Sequence, residues 1–156
     1  MISIYQLFVA ARLLDTYLAV ILGHTILVLP VAVWLLKGFF DSLPIEVEEC
    51  ATVDGASTLQ IIRYIVLPMA RPGLTAAAIY CFVTSWNEFI IGLTFTSSTV
   101  MRPLPTGITL LFLQELQYQW PEMMAVATLA TIPILVLFAF FQRNFVEGVT
   151  AGAVKL

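Results

Sequence analysis

The sequence predicts an all-α membrane protein, and three observations carry that expectation. Sixty per cent of the 156 residues are hydrophobic and 11% are charged, against about 25% charged in an average soluble domain. Mean hydropathy is +0.97. Residues 16–36 and 123–142 contain no Asp, Glu, Lys or Arg, giving runs of 21 and 20 positions, and a bilayer-spanning helix needs about 20. A water-soluble chain of this length would lack the polar surface to cover its exterior.

The elements follow from those runs. Residues 1–15, with apolar Ile2, Ile4, Leu7, Phe8 and Val9, read as the end of a preceding helix or an outer segment. Met1-Ile-Ser-Ile-Tyr has no basic n-region of a secretory signal and reads as the continuation of something hydrophobic. A first transmembrane helix is expected over 16–37, between Asp15 and Lys37. From Arg71 to Arg102 the only formal charge between the two arginines is Glu88, so a second is expected over 73–95. The third covers 123–143. Pro30 and Pro133 fall inside the first and third and predict kinks that shape packing. Membrane helices tolerate them where neighbours re-satisfy the backbone.

Three spans alternate sides, so the basic residues orient the chain. Lys37, Arg63, Arg71, Arg143 and Lys155 fall on one side, and Arg12 and Arg102 on the other. The positive-inside rule therefore places 38–72 and the 144–156 tail in the cytoplasm and the 96–122 loop outside. In that loop Ile108, Leu111, Phe112 and Leu116 share a helical face, away from Gln114, Glu115 and Gln117. Tyr118 and Trp120 follow at interfacial depth, so a short amphipathic helix along the outer surface is expected.

Charge and motif content exclude several classes. Seven basic against ten acidic residues leave a net −3 and no basic field for nucleic acid. Cys50 and Cys81 stand 31 positions apart, neither a disulfide framework nor a metal-ligand spacing. With one His and no His-Glu-x-x-His, Gly-x-Ser-x-Gly or phosphate-binding Gly-x-x-x-x-Gly-Lys-Ser/Thr, no catalytic, cofactor-binding or metal residue is assigned. The chain does not cradle ATP phosphates itself.

Residues 38–72 are the most informative. Ser42 is expected to cap a helix with Pro44 in its first turn, and Glu46, Glu48 and Glu49 suit its N-terminal half. Gly55 suits the left-handed residue that ends such a helix. Ser57 followed by Gln60 is a capping-box pattern opening a second short helix. Leu59, Ile62 and Val66 give it an apolar face, and Pro68 is expected to stop it. Small residues at Cys50, Ala51, Gly55 and Ala56 leave the bend nearly bare, suited to entering a cleft on another protein. From the residues alone, an ordinary interfacial loop reads equally well.

Glu49-Cys50-Ala51, then Gly55, then Ile65-Val66-Leu67-Pro68 resembles the EAA loop of ABC-importer permeases, with Cys50 where the family has Ala. Trp86-Asn87-Glu88-Phe89, Pro105-Thr106-Gly107 and Gly148-Val149-Thr150-Ala151-Gly152-Ala153-Val154-Lys155 resemble the carbohydrate-uptake branch, specifically the second permease subunit of maltose-type importers. The resemblance implies a bacterial or archaeal inner-membrane permease that moves a sugar or oligosaccharide by alternating access. It implies three protein partners: a cytoplasmic ABC ATPase that binds ATP and Mg, a second permease subunit forming a heterodimer, and an extracytoplasmic sugar-binding protein. The ATPase-coupling residues it implies are Glu49, Cys50, Ala51, Asp54, Gly55, Ala56, Leu67 and Pro68. Members typically have about six spans, so the chain resembles the C-terminal half of the importer permease fold. It is expected to be either a fragment or a part that works beside a separately encoded N-terminal half. The competing expectations are a truncated, transport-incompetent fragment, or a permease for a polyol, glycerol phosphate or peptide.

A carboxylate at mid-membrane costs about 2.5–3.5 kcal/mol on insertion scales, so Glu88 calls for a partner. Tyr80, Thr84, Asn87 and Glu88 follow helical spacing and form a polar stripe, a helix seam or a substrate path. At 1.5 Å per residue His24 and Glu88 lie about 12 and 10 Å inside the outer ends of their spans. The depths allow a His24–Glu88 hydrogen bond or ion pair. The substrate-path candidates are thus Tyr80, Thr84, Trp86, Asn87, Glu88 and His24.

Overall fold

The computed structural model describes residues 2–114 and 120–153. Among them every regular element is helical. The chain divides into two units, residues 1–29 with 82–137, and residues 30–81 with 138–156.

In the first unit α1 (Ile2–Ala10) leads through a turn in which Arg12 and Asp15 take left-handed φ values of 55° and 59°. Thr16 then opens α2 (Tyr17–Phe40): its hydroxyl accepts from the Ala19 N–H at 3.2 Å and donates to the Leu13 carbonyl at 2.6 Å. Phe8, Ala19, Ile91 and Phe95 form the buried core of this unit, flanked by Ile4, Leu13 and Leu14. The Phe8 and Phe95 rings lie 4.8 Å apart, tilted by 44°.

The expected span over 73–95 is not one helix. α6 (Arg71–Trp86) ends at Trp86 and α7 (Ile90–Phe95) restarts at Ile90. The reason is Glu88, whose carboxylate takes the N–H groups of Ile90 and Ile91 at 2.9 and 2.8 Å and so begins a new helix. A 3₁₀ turn (Thr99–Met101) and α8 (Leu104–Gln114) follow, so the outer helix starts well before Ile108. Ile108 and Phe112 are half-buried but Leu111 is exposed. Glu115, Leu116, Gln117 and Tyr118 lie outside the described residues.

α9 (Trp120–Ala153) carries Pro133 internally and runs past the expected limit at 143, so the helix continues through residues 144–153 of the expected tail. Val154 and Lys155 lie outside the described residues. Tyr17–Phe40 and Trp120–Phe141 are each long and apolar enough to cross a membrane, and Thr58–Met69 with Arg71–Trp86 forms a third candidate bent by 68°. Leu18, Ile21, Val33 and Trp34 on α2, and Leu129, Leu135 and Phe140 on α9, are exposed, as apolar side chains are on helices solvated by lipid.

The second unit holds the segment after α2. α3 (Ile45–Val53) starts after Pro44, which occupies the N-cap position. Ser42 does not cap it: its hydroxyl donates back to the Phe39 carbonyl at 2.7 Å, closing the end of α2. The next helical stretch comprises α4 (Thr58–Ile61), a π-turn (Ile62–Val66) and α5 (Leu67–Met69). Pro68 does not stop it. The wide turn lets the Leu67 N–H reach the Ile62 carbonyl, and Pro68 then falls in the first turn of α5, where no N–H is required. The stretch yields only at Ala70, before the bend into α6.

Candidate functional site

The segment around Gly55 is built from its backbone. Gly55 has φ +83°, a left-handed conformation that suits glycine. Its N–H reaches the Thr52 carbonyl at 3.1 Å and the Ala56 N–H reaches the Ala51 carbonyl at 3.0 Å. These two bonds are the paired closure of a Schellman motif, so the last carbonyls of α3 are satisfied with no side chain spent. On the far side the Ser57 N–H and hydroxyl both donate to Gln60 Oε1, at 2.8 and 2.9 Å. The Asp54 N–H closes on the Cys50 carbonyl at 3.0 Å.

Of the eight coupling candidates, Ala51 is buried and Ala56 and Pro68 are half-buried. Glu49, Cys50, Asp54, Gly55 and Leu67 are exposed. Cys50 and Cys81 are both free thiols. The expected apolar face of Leu59, Ile62 and Val66 is not the one turned inward. Ile61 is buried and Ile65 half-buried, whereas Leu59 is 74% exposed and Ile62 is exposed; of the expected face only Val66 is half-buried. The π-turn breaks the 3.6-residue register on which that reading depended. Val53, 87% exposed, and Tyr64 join Leu59 as apolar side chains standing free around the turn. Arg63 lies 5.9 Å from the centre of the Tyr64 ring.

The second candidate is the break at 87–89. Tyr80 and Thr84 share a face of α6, but Asn87 and Glu88 lie beyond its end, so the four do not form one helical stripe. Several of the polar groups at the break have partners within the chain. The Asn87 N–H bonds Val83 at 3.1 Å, its side-chain Nδ2 bonds the same carbonyl at 2.8 Å, and Glu88 caps α7. The Phe89 carbonyl accepts from the fully buried Thr106 hydroxyl at 3.1 Å. Gly92 permits this approach, because a Cβ there would collide with Thr106 Oγ1. His24 and Glu88 are brought together as expected: Nε2 lies 3.8 Å from Glu88 Oε2, within ion-pair distance but beyond hydrogen-bond length, and this buried nitrogen has no hydrogen-bond partner among the described residues. Trp86 is fixed twice: its Nε1–H donates to the Ala130 carbonyl at 3.1 Å, and Phe82 stacks on it at 5.3 Å.

Asp15 was not among the sequence candidates. Its Oδ1 accepts from the N–H groups of Ser97 and Ser98, both at 2.9 Å, and from the Ser98 hydroxyl at 3.0 Å. Its own N–H reaches the Phe95 carbonyl at 2.8 Å. Those donors, the Ser98 N–H first, hold its carboxyl below the ordinary aspartate range. Arg102 Nη2 ties the same turn through the Ser97 carbonyl at 2.9 Å.

Residues 1–151 match the family of binding-protein-dependent transport system inner membrane components. The chain belongs to that family. The permease protein of the sulfoquinovosyl glycerol transport system of Agrobacterium fabrum is 35% identical over 155 residues, 99% of this chain and 54% of its own length. That of the trehalose/maltose transport system of Thermococcus litoralis is 35% identical over 141 residues, 90% and 51%. That of the diacetylchitobiose uptake system of Streptomyces coelicolor is 36% identical over 154 residues, 99% and 55%. The chain spans about half the length of these relatives. As a member of this family it is an inner-membrane transport component.

Proposed function

We propose that this chain serves as a permease subunit of a binding-protein-dependent importer, moving a sugar or oligosaccharide by alternating access driven by a separate ATPase. The observation that carries the reading is the turn at Gly55. It is rigid because its own backbone bonds close it, and Val53, Leu59 and Tyr64 stay exposed beside it. A rigid projection transmits displacement where a floppy one absorbs it. The positive-inside distribution supports a cytoplasmic position for this segment, on the side where nucleotide is hydrolysed.

The partner ATPase binds ATP and Mg and supplies the chemical energy; this chain supplies the lever. Closure of the ATPase pair pushes on the turn, and the push travels through the helical stretch 58–69 and around the 68° bend into α6. A second permease subunit completes the pathway and an extracytoplasmic binding protein delivers the sugar. The relatives' names, a trehalose/maltose system and a diacetylchitobiose system among them, support a carbohydrate cargo.

The test is Gly55→Pro in the purified transporter complex. Proline is confined to φ near −65° and cannot adopt +83°. Binding-protein-stimulated ATPase activity is expected to fall to the unstimulated rate while membrane insertion persists. Stimulation equal to wild type would overturn the assignment.

A further inference from the structure

Beside the break lies a cleft of about 270 Å³ that the coupling mechanism does not use. Its walls are the end of α6, the first turns of α8 and the middle of α9, and Trp86, Asn87, Pro105, Thr109 and Thr131 face it together with aliphatic side chains. Among the described residues no ionisable side chain lines it. The hydrogen-bonding capacity left over in it is neutral and mostly accepting. Thr109 donates its hydroxyl proton to the Pro105 carbonyl at 2.8 Å, and Thr131 donates to the Thr128 carbonyl at 2.7 Å. Asn87 donates through Nδ2 to Val83, leaving Oδ1 to accept. The Trp86 N–H is committed to Ala130. What remains is a neutral set, two threonine oxygens and an amide oxygen to accept and the second Asn87 N–H to donate, around an indole stacked against Phe82.

Such a site complements a molecule that carries many hydroxyl donors, has an apolar C–H face for the indole, and bears no charge. Phosphates find no cationic side chain there and cations find no carboxylate. The volume lies just below the range of about 300–1,000 Å³ typical of pockets for larger ligands, the size of one ring rather than two. We infer that this cleft is a subsite for a single neutral pyranose unit of the transported sugar. The inference rests on the carbohydrate-importer reading and adds Thr109 and Thr131, which no sequence motif marks, to Trp86 and Asn87.

The test is equilibrium binding of maltose to the full transporter complex in nanodiscs without the binding protein, beside the complex's binding-protein-stimulated ATPase activity. Thr131→Val keeps the shape of the side chain and removes the acceptor, and Asn87→Ala removes the amide. Each is expected to weaken maltose about three- to tenfold, the value of one neutral hydrogen bond. At least one monodeoxy maltose should lose the same factor in the wild type and nothing further in Thr131→Val, a non-additivity that a merely structural threonine would not produce. Glucose 6-phosphate should not bind. Unchanged maltose affinity in both variants, purely additive penalties, or no maltose binding by a wild-type complex whose ATPase is stimulated would each overturn the subsite and leave the transport reading standing. A wild-type complex with no stimulated ATPase would overturn that reading and the subsite with it.

Discussion

The turn at Gly55 and the break at Asn87–Phe89 both interrupt helices, and they meet the same requirement by opposite means. At Gly55 the orphaned carbonyls are closed by backbone N–H groups, and the side chains around the turn remain exposed. At the break the orphaned groups are closed by side chains. Glu88 takes two N–H groups, Thr106 reaches Phe89, and the Asn87 amide returns to Val83. The first solution frees side chains for a partner and the second consumes them. That contrast follows from the solvent: water forgives an unpaired backbone group, and hydrocarbon does not.

Removing the carboxylate that seals the break should have the largest effect on stability. Glu88→Ala leaves the Ile90 and Ile91 N–H groups without their acceptors, at about 1–3 kcal/mol for each donor that hydrocarbon leaves unpaired. Glu88→Gln keeps one oxygen and should lose less. Thermal unfolding of the detergent-solubilised complex measures both. By contrast Glu49→Ala, an exposed side chain beside the turn, should leave the unfolding temperature within error of wild type. Equal destabilisation by Glu88→Ala and Glu49→Ala would erase the distinction between the two sites.

A smaller effect sharpens the same point from the packing side. In Gly92→Ala the new methyl meets Thr106 Oγ1 and must displace the hydroxyl that holds the Phe89 carbonyl. Overpacking of this kind costs about 1–3 kcal/mol. Thr106→Ala removes both the obstacle and the bond, so the double substitution should cost less than the two single ones added together. Strict additivity would mean that Gly92 and Thr106 act independently.

These differences also explain which parts of the molecule were readable in the sequence. The charge-free runs at 16–36 and 123–142 mark helices because hydrophobic length is a local property. Gly55 and the Ser57–Gln60 pair were readable for the same reason: every partner lies within a few residues. The break was not. Periodicity reads Tyr80, Thr84, Asn87 and Glu88 as one stripe only while the helix is assumed to continue, and its end depends on a carboxylate choosing backbone donors over a helical face. Ile61 was passed over in favour of Leu59, which no local signal distinguishes from it, and beyond Ile62 a π-turn shifts the register without any signature in composition. Thr106 finds Phe89 across 17 positions and Asp15 finds Ser97 across 82, distances over which one sequence carries no pairing information.

Asp15 provides the gentlest test, because it belongs to neither extreme: a side chain spends all its capacity on a backbone turn, as at the break, but at a partly open position outside the spans. Its carboxyl is held below the ordinary aspartate range by the Ser98 and Ser97 N–H groups. A depressed carboxylate stabilises the fold above its unfolded pKa of about 3.9, and that contribution fades as pH falls through the lowered value in the folded state. Amide-exchange protection at Ser97 and Ser98 should therefore stay level from pH 8 to pH 5 and decline only in stronger acid. Asp15→Asn keeps an acceptor oxygen without the charge, so its protection should be lower than wild type and should not change across the acid range. Asp15→Ala should remove most of the protection at both amides while leaving those of α9 untouched. A wild-type decline already under way between pH 7 and pH 5 would mean that a different titrating group holds the turn, and that Asp15 is a bystander to it.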